Sequence, residues 1–185
     1  MEMEDKMKKI SKETIEKVAK AFGKPVLTDD NGEIDMKDKR FVIVETGGYP
    51  YGVGDEVSLR PVNYHYGMRI GRSLVETLKG IMEEENVEEV VEHTLGFLAY
   101  GGYGLFELVS ETESEIVVRM YNSFEVDSYK RNFEKPATRP VCHFTRGILS
   151  EVFSELKGKS VKVEETACAA MSGSYCEFKI VVSEE

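Results

Sequence analysis

The chain has 185 residues, enough for one domain with an extension and for a core that needs neither metal nor disulfide to fold. A hydrophobic fraction of 41% beside a charged fraction of 31% describes an ordinary globular protein. The net charge of −10 argues against nonspecific nucleic-acid binding, because a phosphate backbone selects a basic surface.

No run of about 18 apolar residues exists, so no membrane-spanning helix is expected. The N-terminus lacks the apolar stretch of a signal peptide, which makes the cytoplasm the expected location.

In chain order, Ile15, Val18, Ala19 and Phe22 recur at helical spacing and predict a helix with one apolar face, stopped by Gly23 and Pro25. The segment from Lys24 to Arg40 is polar, with Asp29-Asp-Asn-Gly32 as a turn signal. Arg40 to Glu45 reads as a short buried strand. The Gly- and Tyr-rich stretch Gly47 to Gly54 lacks the Gly-Lys-Ser/Thr of a phosphate loop and the glycine spacing of a dinucleotide fingerprint, and reads as a structural turn. A second helix is expected over Ser73–Glu85, and a third from Val87 to about Tyr100, ended by Gly101-Gly-Tyr-Gly104. His93 lies on the flank of the third helix's apolar face.

Leu105–Val109 and Ile116–Tyr121 predict a hairpin joined by the acidic turn Ser110–Ser114. Asn122–Arg139 is polar and reads as a surface loop. A further helix is expected to start at Pro140, where a missing N–H costs nothing, and to run to Leu156 with Gly158 as its cap. Two strands follow. Ser160–Thr166 has Val161, Val163 and Glu165 on one face, and Tyr175–Val182 has Cys176, Phe178, Ile180 and Val182 on one face. Helices and strands come in blocks, so the expected class is α+β with an antiparallel sheet packed against helices.

All three cysteines, Cys142, Cys168 and Cys176, lie in the last quarter of the chain, and Glu165 stands three residues before the second. In a reducing compartment such a set is a metal site or a group of small core residues rather than a disulfide framework. Zinc favours thiolates, takes four ligands and accepts a carboxylate among them. Cys142 faces the core side of its predicted helix. Cys168 has the opposite strand parity from Glu165, so the strand must end near Thr166 and turn for both to ligate. His143 falls on the far side of its helix and is not counted as a ligand. A lone Glu on an apolar strand face needs a partner, either a metal or an arginine. Four protein ligands would make the site structural rather than catalytic.

Pro140-Val-Cys142-His-Phe-Thr-Arg-Gly147-Ile-Leu, Gly158-Lys-Ser-Val-Lys-Val-Glu-Glu165-Thr-Ala-Cys168 and Gly173-Ser-Tyr-Cys176-Glu-Phe-Lys-Ile resemble the 4-vinyl reductase domain family over about residues 115–182, with looser likeness upstream to about Gly67. The spacing is also similar to the zinc site in the sensor domains of phenol-responsive bacterial activators of that family. The resemblance implies zinc at Cys142, Glu165, Cys168 and Cys176. It implies a ligand-binding domain of the NO-signalling/Golgi-transport type, with an apolar pocket and a tendency to form a homodimer. By position it implies His93 and Tyr121 as ligand-binding residues, with Tyr121 standing where the sensors carry Trp. Residues 67–185 would form this domain, and residues 1–66 a dimer contact or pocket cover. The sequence holds no ATPase or helix-turn-helix segment, so a stand-alone domain is expected.

With no nucleophile–base pair and no cofactor loop, the leading reading is a zinc-stabilised module that binds a small hydrophobic or aromatic molecule, leaning away from an enzyme. A reductase or accessory factor acting on a vinyl or tetrapyrrole substrate is one alternative. A protein-interaction subunit using the acidic stretch Glu83–Glu89 is another.

Overall fold

The computed structural model describes residues 8–22, 34–36, 39–41, 59–82 and 86–183. Their elements are β1 (Lys8–Lys9), α1 (Lys12–Phe22), β2 (Ile34–Met36), β3 (Lys39–Phe41), α2 (Leu59–Met82), α3 (Val87–Tyr100), β4 (Leu105–Glu111), β5 (Glu115–Tyr121), α4 (Phe124–Asn132), α5 (His143–Lys157), β6 (Val161–Ala167) and β7 (Cys176–Val182). The Gly47–Gly54 stretch and the Asp29–Gly32 turn lie outside the described residues, as do the strand beyond Phe41 and residues 83–85 of the acidic stretch.

Every pairing in the sheet is antiparallel, in the order β1-β4-β5-β7-β6, and β2 and β3 form a separate hairpin. Period-two burial gives the main sheet its inner face: Ile116, Val118 and Met120 on β5, Phe178 and Ile180 on β7, Val161 and Val163 on β6. β5 and β7 lie side by side in the middle, with Val118 opposite Phe178 and Ile116 opposite Ile180. Helix α5 packs on β6 and β7 through Ile148, Leu149, Val152 and Phe153, all fully or almost fully buried. This is the α+β class that the block order of the sequence predicts.

The helix expected over Ser73–Glu85 starts already at Leu59. Its first half carries Gly67 and Gly71 where α2 crosses α5, and hydrophobic periodicity does not register glycines. A Cβ on Gly67 would drive into the carbonyl of Phe144, one on Gly147 into the carbonyl of Tyr64, and one on Gly71 would stand 2.8 Å from the Ile148 carbonyl oxygen. The two backbones therefore touch, which only glycine permits. Arg72–Glu151 at 3.0 Å and Lys79–Glu155 line the exposed edges of this crossing.

Two further helix limits differ from expectation. Asn122–Arg139 is not a loop throughout, because α4 forms inside it. Ser123 caps that helix by accepting from Val126 N–H. The segment looks polar because α4 buries Glu125 and Ser128 rather than an apolar stripe. Helix α5 starts at His143 rather than Pro140 because Cys142, at φ −82° and ψ 57°, leaves helical geometry at its N-cap. The C-terminal end is as expected: Gly158 closes α5 in the left-handed conformation, φ 62°.

The glycine crossing gives a paired prediction. Gly147→Ala forces α2 and α5 apart and should cost about 3 kcal/mol or more. Gly80→Ala, on the same helix α2 but with nothing within 4 Å of its added Cβ, should gain about 0.5–1 kcal/mol. Urea unfolding of both variants is the measurement, and equal midpoints would contradict the close crossing.

Candidate metal centre

The site is built where the head of α5 meets the ends of β6 and β7. Alternation along β6 turns Val161, Val163 and Glu165 inward and Lys162, Glu164 and Thr166 outward. Glu165 pairs opposite Phe178 and Ala167 opposite Glu177, so two β6 residues match one on β7. This bulge shifts the parity of the strand end. A single 3-10 turn over Ala169–Met171 then follows Cys168. The parity conflict in the sequence between Glu165 and Cys168 is resolved in this way, and both side chains turn inward. Cys176 opens β7 on its inner face.

Cys142, Glu165, Cys168 and Cys176 are all buried, and one ligand atom from each lies within 4.8 Å of every other. Cys142 Sγ and Cys176 Sγ are 3.5 Å apart. A tetrahedral zinc with sulfur at about 2.3 Å holds its sulfurs about 3.8 Å apart, so the set has the size of one small ion's coordination shell. Among the described residues no arginine or lysine joins it. Glu165 is 6% exposed, its Oε2 accepts from Cys142 N–H at 2.9 Å, and its Oε1 has no hydrogen-bond partner. A buried carboxylate oxygen left without a donor is costly, and a cation at the centre of the four would take it up.

The electrostatics point the same way. Burial pushes the Cys142 thiol and the Glu165 carboxyl well above their ordinary values. Hydrogen bonds from Cys142 and Cys176 draw Cys168 far below the usual thiol range. For Cys176 the bond with Cys142 pulls downward, but the bond with Cys168, burial and the charges of Cys168 and Glu165 together raise it. Without a cation the cluster therefore concentrates its negative charge on Cys168, with protons on its neighbours. A divalent ion would displace those protons.

One residue of the surroundings is missed by sequence reasoning. Glu125, fully buried on α4, accepts from Phe144 N–H with Oε1 at 3.0 Å, and from Thr145 N–H and Thr145 Oγ1 with Oε2 at 3.0 and 2.6 Å. It therefore caps the first turn of α5 from another helix, satisfying donors that an α-helix leaves open. The only signal in the sequence is a carboxylate amid polar residues, which does not stand out.

The remaining candidates are placed apart from the cluster. His93 is 4% exposed on α3. Tyr121 lies on the face of β5 opposite Met120, donates to Glu107 Oε2 at 2.6 Å and meets Tyr175 edge to face. His143 stays outside the four, with Nδ1 3.3 Å from Arg146 Nη1.

Glu125 yields two expected outcomes. Glu125→Ala strands the N–H groups of Phe144 and Thr145 and should cost about 2–4 kcal/mol in chemical unfolding. Burial pushes the Glu125 carboxyl up to about 7, against the opposing bonds from Thr145 and Phe144. The folded value lies above that of the unfolded chain, so this group's contribution to stability is complete below the ordinary carboxyl range and is lost as the pH rises through about 7. Relative to Glu125→Gln, the metal-stripped wild type should therefore lose stability between about pH 5 and pH 8. A pH-independent difference would mean that the carboxyl stays ionised throughout.

The comparisons with known proteins agree with this geometry. The 4-vinyl reductase domain family model matches residues 116–182, a segment that contains all four members of the cluster. Among solved structures, the phenol-responsive sensory domain of the transcription activator PoxR, solved with phenol, superposes with a TM-score of 0.76 at 17% identity, covering 92% of this chain and 89% of that one. A vinyl-4-reductase family protein from Methanocaldococcus jannaschii overlaps at a TM-score of 0.47 and 16% identity, covering 66% of this chain and 68% of that one. No curated protein matches the sequence. The likeness to PoxR establishes the fold, the family match falls on the segment that carries the resemblance, and over residues 116–182 this chain is a 4-vinyl reductase domain.

Proposed function

We propose that this chain is a small-molecule-binding sensory domain held in shape by a structural zinc ion at Cys142, Glu165, Cys168 and Cys176. The carrying observation is the closed, buried four-member set with an orphaned carboxylate oxygen at its edge. Three thiolates and one carboxylate suit zinc, and four protein ligands leave no open position for a substrate. The ion would join the head of α5 to the ends of β6 and β7, fixing one helix on the sheet.

The ligand is a small hydrophobic or aromatic molecule, a reading supported by the fold shared with a domain solved with phenol. His93 and Tyr121 are its proposed contacts. Because Tyr121 already donates to Glu107, a ligand hydroxyl reaching this position would meet an acceptor pair and act as the donor. The protein works as a homodimer in the cytoplasm, where thiols remain reduced. Residues 1–66 serve as a dimer contact or pocket cover for the domain over 67–185. Val62 and Tyr66, 59% and 52% exposed on α2, support an apolar contact there. No described helix is long and apolar enough to cross a membrane.

Protein purified without chelator should carry one zinc per chain by native mass spectrometry and elemental analysis. Stripping the metal should lower the melting temperature. Zinc retention should weaken as the pH falls, because protons return to thiols and carboxylate that the ion must displace. A metal-free, folded protein with three titratable thiols would end the zinc reading. A thermal-shift series with phenols, fatty acids and tetrapyrroles tests the ligand reading, and stabilisation by a phenol is the expected result. No shift with any of the three classes would count against it.

A further inference from the structure

The first turn of α4 touches the candidate metal centre at a point that the four-member set does not require. Asn122 takes the left-handed conformation, φ 55°, and turns the chain from β5 into α4. The turn delivers two buried side chains to the head of α5. Ser123 Oγ lies 3.4 Å from Cys142 Sγ while accepting from Val126 N–H. Glu125 takes the N–H groups of Phe144 and Thr145 and the Thr145 hydroxyl.

On the other side of the same turn, Glu165 takes Cys142 N–H. The segment Cys142–Thr145 is thus held between two carboxylates, one inside the cluster and one outside it. What holds α4 is mostly this grip, since its buried residues are Glu125, Val126 and Ser128, with Phe124 packed edge to face on Tyr103 and Phe144.

We propose that Ser123 and Glu125 are positioning residues of the metal centre, and that zinc occupancy and the docking of α4 on α5 are linked. The inference rests on the zinc reading and adds its regulation. Groups that orient a metal ligand change metal affinity without touching the ion. Linkage is also reciprocal, so whatever holds α4 in place tightens zinc, and zinc holds α4 in place. A partner or ligand that moved α4 would then be sensed at the metal.

The test uses the full chain. Amide hydrogen exchange over residues 124–132 is measured in the zinc-loaded and the zinc-stripped wild type. Zinc affinity is measured by competition with a chromogenic chelator for the wild type, Glu125→Gln, Ser123→Ala and Leu78→Ala. The last variant opens a cavity in the buried part of α2 and controls for plain destabilisation.

Zinc should slow exchange across α4. Glu125→Gln puts an amide NH2 against a backbone N–H and should weaken zinc about 10- to 100-fold, with Ser123→Ala weaker by about threefold and Leu78→Ala unchanged within about twofold. Unaltered exchange in α4, or a Glu125→Gln effect no larger than that of Leu78→Ala, would overturn the linkage while leaving the zinc reading in place. A wild type that binds no zinc at all overturns both. The exchange experiment needs no variant, so a Glu125→Gln protein that failed to fold would not remove the test.

Discussion

The close crossing of α2 and α5 sets the frame around which the other elements pack. Gly67 and Gly71 on one helix and Gly147 on the other let the two backbones approach until they touch. No side chain can stand in for them, because a single Cβ meets a carbonyl. The crossing presses α5 onto the sheet with Ile148, Leu149, Val152 and Phe153 facing inward. It also determines where the head of α5 points, and so places Cys142.

The head of α5 is where the polar demands of the fold converge. A helix start leaves backbone N–H groups open, and here they are buried. Glu165 answers one from β6 and Glu125 answers two from α4, while Val141 and Cys142 carbonyls take those of His143 and Arg146. The helix dipole favours negative charge at the same end, which helps a thiolate at Cys168 and two carboxylates coexist within one small region. Their mutual repulsion and desolvation remain partly unanswered in protein groups alone, as the orphaned Glu165 oxygen shows. That imbalance gives the zinc proposal its physical content.

Legibility in the sequence follows the kind of interaction. The faces of β5, β6 and β7 are readable because burial on one side of a sheet writes a period of two into the chain. The helix at Val87–Tyr100 and the cap at Gly158 are readable for similar local reasons. The four-member cluster is readable from residue chemistry and spacing, and the resemblance to a known family strengthens it. The early start of α2 is not, because Gly67 and Gly71 serve a contact with a distant helix and look unfavourable locally. Helix α4 reads as loop because it buries Glu125 and Ser128, which a hydrophobic pattern counts as exposed.

Local periodicity and side-chain chemistry are thus enough for the fold class, the order of most elements and the identity of the residues able to bind a metal. Three features come from the folded chain alone: a bulge after Glu165 turns Cys168 inward, α5 begins at His143, and Glu125 reaches from a separate helix to hold its first turn. The physical reason is the same in each case. Those features satisfy buried backbone and carboxylate groups across long separations in the chain, and such pairings leave no periodic trace in the residues that make them.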